Sequence, residues 1–130
     1  MAACTVQDLF SLRVRASHVS LLACGSLHQH FEAGDEPLGL ATALLSAGAA
    51  SVLGNLWPVE SRTARAFSEL FHAHLAQARR DGNGPSFYDL ACAVREAVAD
   101  VRQGWERRQP FHWASFVLHG AWFLGGSLRD

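Results

Sequence analysis

The stretch VSLLACGS, Val19 to Ser26, decides how the chain is read. Its mostly apolar start runs into Ala-Cys-Gly, and the chain then turns polar at Ser26, His28, Gln29 and His30. VSLLA does not alternate, so it predicts a short strand buried on both faces. A cysteine where such a run ends has two readings. It is either a small core residue that falls near a strand end or a nucleophile carried on a strand tip.

Downstream, Asp35-Glu36-Pro37 predicts a helix start, since Pro fits the first helical position and acidic residues favour the positive end of the helix dipole. LGLATALLSA continues this helix, and Gly48 fits the left-handed position after its end. Ala50 to Leu56 is a second buried strand candidate. Strand, helix and strand in succession form a βαβ unit, with parallel pairing and a right-handed crossover. After Trp57-Pro58, Glu60 or Ser61 caps a long helix whose Phe67, Leu70, Phe71, Leu75 and Ala78 form an apolar stripe. Asp81 to Pro85 is a turn. Ser86 to Asp89 has the form of a capping box, opening a helix with Leu90, Ala91, Val94, Val98 and Val101 on one side. Trp113 to Leu118 reads as a last strand closing on His119-Gly120. The class is α/β, with three or so parallel strands. Because a parallel sheet normally continues on both sides of a buried strand, the first strand predicts partners supplied upstream or by another chain.

At 130 residues, with 49% hydrophobic and 18% charged, the chain suits one globular domain. A net charge of −1 gives no electrostatic case for nucleic acid or an anionic membrane. All eleven basic residues are Arg, and there is neither Lys nor Ile. A nucleotide site of Walker type is thereby excluded, and no Gly-rich phosphate loop follows the first strand. Cys4, Cys24 and Cys92 are odd in number and far apart, which favours a reducing, cytoplasmic setting over a disulfide framework. No signal peptide or membrane span is read: the N-terminus lacks a basic and a long apolar region, and the apolar run from Gly39 to Gly54 is broken by Gly, Ser and Thr.

Four blocks carry a family resemblance. LLAC followed by Gly34-Asp35-Glu36-Pro37-Leu38-Gly39-Leu40 resembles the "LSAC…GEGLLGL" block of the CHAT domain. Ser46 to Val52 and Asn55-Leu56-Trp57-Pro58-Val59 are similar to its "AGARSV…LWPV" segment, and Pro110 to Gly120 to its closing "HPYYWAAFVLIG" strand. The resemblance runs from about Asp8 to Gly120, so residues 1–130 read as a single partial domain of this kind. It implies a caspase-like three-layer fold, in the clan of caspases and separase, with a mostly parallel sheet that is incomplete on its N-terminal side. It also implies cysteine endopeptidase activity on a protein or peptide, and an association with tetratricopeptide repeats in the same or another chain. The family's nucleophile falls on Cys24. Its catalytic histidine lies in an upstream His-Gly motif, and no His-Gly precedes Cys24 here.

The residues suit that chemistry in part. A thiol is a nucleophile as its thiolate, which a neighbouring imidazole or helix N-terminus populates. Parallel strands direct their C-terminal ends at a crevice, which is where Cys24 is expected. The N–H groups of Cys24 and Gly25 are candidates for an oxyanion site, and Gly25 and Ser26 for the cleft wall. Glu32, Asp35 and Glu36 are candidates for a pocket taking a basic P1 side chain, although acidic residues before a helix also satisfy its N-terminus. Trp57 stands after a strand end, as a cleft wall or as core. Cys92 reads as mid-helix packing. None of the histidines reads as the base: His28 and His30 sit on a loop, His18 at the far end of the sheet, and His72 and His74 diverge on a helix. His119, at the end of the last strand, reads as core or edge, with the edge that carries Cys24 as a candidate place. No metal or cofactor is expected. The alternative function is an inactive caspase-like regulatory or interaction module, and an incomplete sheet predicts self-association.

Overall fold

A computed structural model describes residues 6–22, 39–80, 87–104 and 108–125. Its elements in order are α1 (Val6–Phe10), β1 (His18–Leu21), α2 (Leu40–Ser46), β2 (Ser51–Asn55), α3 (Ser61–Arg80), β3 (Phe87–Asp89), α4 (Leu90–Gln103), α5 (Pro110–Trp113), β4 (Phe116–Gly120) and β5 (Phe123–Gly125). The α/β class and the βαβ unit are as the sequence predicts. β1 and β2 pair in parallel, from His18 opposite Ser51 to Leu21 opposite Gly54, with α2 between them in sequence.

β2 is the strand that fits the fully buried description, since all five of its residues are buried. β1 does not: Val19 and Leu21 are half-buried and Ser20 is exposed. The cause is position, because in the order β1-β2-β4 β1 is an edge of the described sheet. In a sheet expected to be mostly parallel, the third strand departs from the parallel direction. β4 runs antiparallel to β2, from Phe116 opposite Asn55 to Gly120 opposite Ser51. The short helix α5 is responsible. Pro110 opens it, Ala114 N–H closes it on Pro110 O at 2.8 Å, and Leu56 N–H then bonds Ser115 O at 2.9 Å. The chain is therefore delivered at the C-terminal end of β2 and has to run back along it. Trp113, expected in this strand, belongs to α5.

Because successive strand residues point to opposite faces, Val52 and Leu53 enter different cores. Val52 joins Ala41, Leu44 and Ala49 on the α2 side. Leu53 joins Val59, Phe67, Phe71, Leu90, Ala93, Ala97, Val101 and Phe116 on the α3–α4 side. The sheet thus lies between two helical layers. Phe67 stacks on Phe116 with ring centroids 3.8 Å apart, and each fully buried aromatic of this kind contributes about 2–3 kcal/mol of hydrophobic stabilisation.

Helix ends refine the sequence reading. α2 begins at Leu40 after an extended Gly39, not at the acidic pair before Pro37, and Gly48 does take a positive φ of 114°. A Cβ there would meet Val14 O at 2.8 Å. Glu60 O accepts from Thr63 and Ala64 N–H, so Glu60 begins α3. Asp89 is itself the cap of α4, its Oδ1 accepting from Cys92 N–H at 2.8 Å, instead of the fourth member of a box begun by Ser86. Cys92 consequently sits in the first turn of α4, half-exposed, and not at mid-helix. Along α4 the buried residues are Leu90, Ala93, Ala97 and Val101, while Ala91 faces solvent. The pairing of β3 with β5, Phe87 opposite Gly125 and Asp89 opposite Phe123, has no counterpart in the sequence reading.

Candidate functional site

Parallel β1 and β2 end together at Leu21 and Gly54, and the crevice expected beyond such ends is present. A cleft of about 480 Å³ is lined by Leu22, just past β1, by Asn55, the last residue of β2, and by Val59, Ser61, Ala64, Arg65 and Ser68. The sequence produces it locally. Trp57-Pro58 turns the chain out of the sheet, Val59 anchors it in the core, and α3 starts at Ser61 above the strand ends. Ser61, Ala64, Arg65 and Ser68 stand at i, i+3, i+4 and i+7, one face of the first two turns.

Asn55 is 1% exposed, and its Nδ2 donates to Trp57 O at 3.0 Å, which fixes the turn after β2. Trp57 is half-buried. Its Nε1 donates to Phe111 O at 2.9 Å, and its ring stacks on Phe111 with centroids 6.2 Å apart. It stands at the C-terminal end of β2, held between the core and α5, but it does not line the cleft. Arg65 Nε donates to Glu69 Oε1 at 2.9 Å. That hydrogen bond, and then the Glu69 charge, push the guanidinium pKa further up, so Arg65 is a permanent cation.

The remaining candidates, Cys24, Gly25, Ser26, Asp35 and Glu36, lie outside the described residues, as do Glu32, His28 and His30. Leu22 is the last described residue before them, and it lines the cleft.

The described histidines divide by position. His18 opens β1 at the end opposite the cleft, as predicted, with Nδ1 and Ser51 Oγ 2.6 Å apart and Nε2 and Ser20 Oγ 2.9 Å apart. Burial first, and then the neighbouring His72, lower its pKa. α3 starts at the cleft and runs away from it, since the Phe71 ring already lies against His18, tilted, with centroids 5.8 Å apart. His72 Nδ1 meets Ser68 O at 2.7 Å, and His74 Nε2 joins Asp100 Oδ2 at 2.8 Å, tying α3 to α4. His119 lies opposite Val52, toward the far end of the sheet, because β4 is antiparallel. It therefore does not share the cleft edge. His112, which the sequence reading passed over, belongs to α5 beside the C-terminal end of β2, and its buried Nδ1 has no hydrogen-bond partner among the described residues. No group of three metal-ligating side chains occurs among the described residues, and no described helix is long and apolar enough to cross a membrane.

Sequence reasoning also missed Asn55, Ser61, Arg65 and Ser68. The polar stripe on α3 was legible as a spacing, but its meaning depends on α3 starting over the ends of β1 and β2.

Comparison with known proteins bears on this arrangement. A search of curated proteins returned no match. Among solved structures, the chain is similar to separase in the separase–securin complex of Saccharomyces cerevisiae, with 25% identity and a TM-score of 0.66. The similarity covers 88% of this chain and 7% of the separase chain, so this chain spans a small fraction of that protein's length. The CHAT domain matches residues 3–121. This chain belongs to the CHAT-domain family, and its caspase-like fold makes it a module related to the cysteine proteases.

Proposed function

We propose that the protein is a CHAT-type cysteine endopeptidase module in which Cys24 attacks a peptide carbonyl and the general-base histidine comes from outside this chain. The observation that carries the reading is the cleft at the C-terminal ends of β1 and β2, which Leu22 lines two residues before Cys24. The base takes the thiol proton, and the thiolate adds to the carbonyl carbon. The N–H groups of Cys24 and Gly25 would hold the oxyanion, with Ser26 beside it. The C–N bond then breaks as the base returns its proton to the leaving amine. Water hydrolyses the thioester and restores the thiol. Asp35, Glu36 and Trp57 would contact substrate at the rim. The substrate is a protein or peptide, in keeping with a structural relative crystallised in a protein complex, and tetratricopeptide repeats are the proposed neighbouring module. The proposed setting is cytoplasmic.

The placement of the histidines favours a second reading, an inactive interaction module. His18, His72, His74 and His119 lie away from the cleft, and His112 alone among the described histidines stands near its end of the sheet. Turnover of a casein-derived peptide mixture by the full-length protein separates the two. The endopeptidase reading expects cleavage that Cys24→Ala abolishes and Cys92→Ala leaves intact. Cleavage that persists in Cys24→Ala, or is absent in all three proteins, contradicts it.

A further inference from the structure

The last residue of β2 is a polar one in a wholly buried strand. All five residues of β2 are buried, and Asn55 is 1% exposed. A carboxamide taken out of water costs free energy unless it is hydrogen-bonded. Its Nδ2 donates to Trp57 O at 3.0 Å, a carbonyl two residues on and outside the strand. The same short turn is tied twice more. Leu56 N–H donates to Ser115 O, and Trp57 Nε1 donates to Phe111 O, both at 2.9 Å. Those two ties lead to α5 and the residue before β4, so of the three it is the Asn55 carboxamide that fixes the turn to β2 itself. Pro58, its φ locked by the ring, then carries the chain to Val59 in the core and to Glu60, whose carbonyl accepts the first N–H bonds of α3.

From this chain of contacts we infer that Asn55 is a positioning residue of the cleft. Acting through the Trp57 carbonyl, it sets the turn from which α3 leaves the sheet, and so holds the wall of Ser61, Ala64, Arg65 and Ser68 over the ends of β1 and β2. Asn55 lines the same cleft, so the residue that sets the wall is also part of the floor. That the cleft receives a peptide rests on the endopeptidase reading above; the placing of the wall does not. A displacement of about 1 Å costs on the order of a hundredfold in rate where geometry governs a reaction. The property required of Asn55 is its N–H donor, not its size. Aspartate has the same shape but as a carboxylate sets an acceptor against the Trp57 carbonyl, and leucine of similar volume has no polar group.

The test compares wild type with Asn55→Asp and Asn55→Leu in the full-length protein at pH 7.5, each labelled with 15N at tryptophan. The Trp57 indole N–H peak, identified as the one that Trp57→Phe removes, should shift in both variants, while the Trp122 peak stays. Cleavage of the casein-derived peptide mixture should fall at least about tenfold in kcat/KM in both. In wild type labelled at asparagine, the Asn55 side-chain N–H, the peak that Asn55→Leu removes, should exchange with deuterium at least about tenfold more slowly than an exposed carboxamide, a measurement that decides the matter if neither variant folds. A wild type that cleaves nothing overturns the endopeptidase reading alone, and the Trp57 peak then decides the role of Asn55. A folded variant with the Trp57 peak unmoved, a folded variant with wild-type cleavage, or rapid exchange at the Asn55 side chain overturns the positioning role while leaving cleavage by Cys24 standing.

Discussion

At the start of β1, His18 is held between two hydroxyls and under the ring of Phe71. Its two nitrogens are both occupied, Ser51 is fully buried, and burial together with His72 disfavours the imidazolium. The folded pKa lies below the ordinary 6.5, so the unfolded chain takes up this proton first as pH falls. The contribution is complete above pH 6.5 and is lost as pH drops from there through the lower folded value. Urea unfolding between pH 7.5 and pH 5 should therefore show stability falling toward acid, with a shallower fall in His18→Gln. An equal slope in the two proteins would remove His18 from the account. The same residue shows what sequence can say at this scale. Its place at the far end of the sheet was legible from its position before VSLLA, whereas its serine partners come from β1 and β2 and needed the register.

Among the elements, α3 joins the core to the cleft. Its apolar stripe buries Phe67 and Phe71 completely, and its polar stripe one turn away lines the crevice. Phe67→Ala should cost about 3–5 kcal/mol in a denaturant melt, because the stacked Phe116 ring cannot follow the backbone into the vacated space. A loss under about 1 kcal/mol would mean that this side of the core is loosely filled. Periodicity revealed α3 and α4 because a 3.6-residue repeat needs no partner to be read. It did not reveal the direction of β4, since Phe116 to Gly120 has the same apolar content whichever way it runs. That direction comes from α5, a four-residue helix too short to leave a periodic signal. Gly120 marks the consequence. It has a φ of 84°, and a Cβ there would collide with Ala50 O, where the antiparallel pair closes. The block Pro110 to Gly120 thus encodes a turn into the sheet as well as a strand.

On the scale of the whole molecule, the sheet among the described residues is three strands wide, with β1 at its edge. A strand at a sheet edge is a place where association can begin. Phe10, Leu12, Leu56, Phe111, Trp122 and Phe123 are also exposed. Sedimentation velocity on the isolated 130-residue chain should show concentration-dependent self-association, and a monomer across the micromolar range would show that these surfaces are already satisfied. The α/β class was legible in the sequence, because VSLLA, the helix after it and Ala50 to Leu56 read as a βαβ unit. The cleft was not, because its walls are contributed by residues from 22 to 68 and exist only when α3 lies over the strand ends.

The central claim is that Cys24 is an activated thiol at this cleft, and its ionisation tests that most directly. We would alkylate the protein isolated from its native source with limiting iodoacetamide at pH 6.5 and map the rate at each cysteine by peptide mass. The account predicts that Cys24 is modified at least about tenfold faster than Cys4 and Cys92, as a populated thiolate requires. Equal rates at the three cysteines, or Cys24 as the slowest, would contradict it.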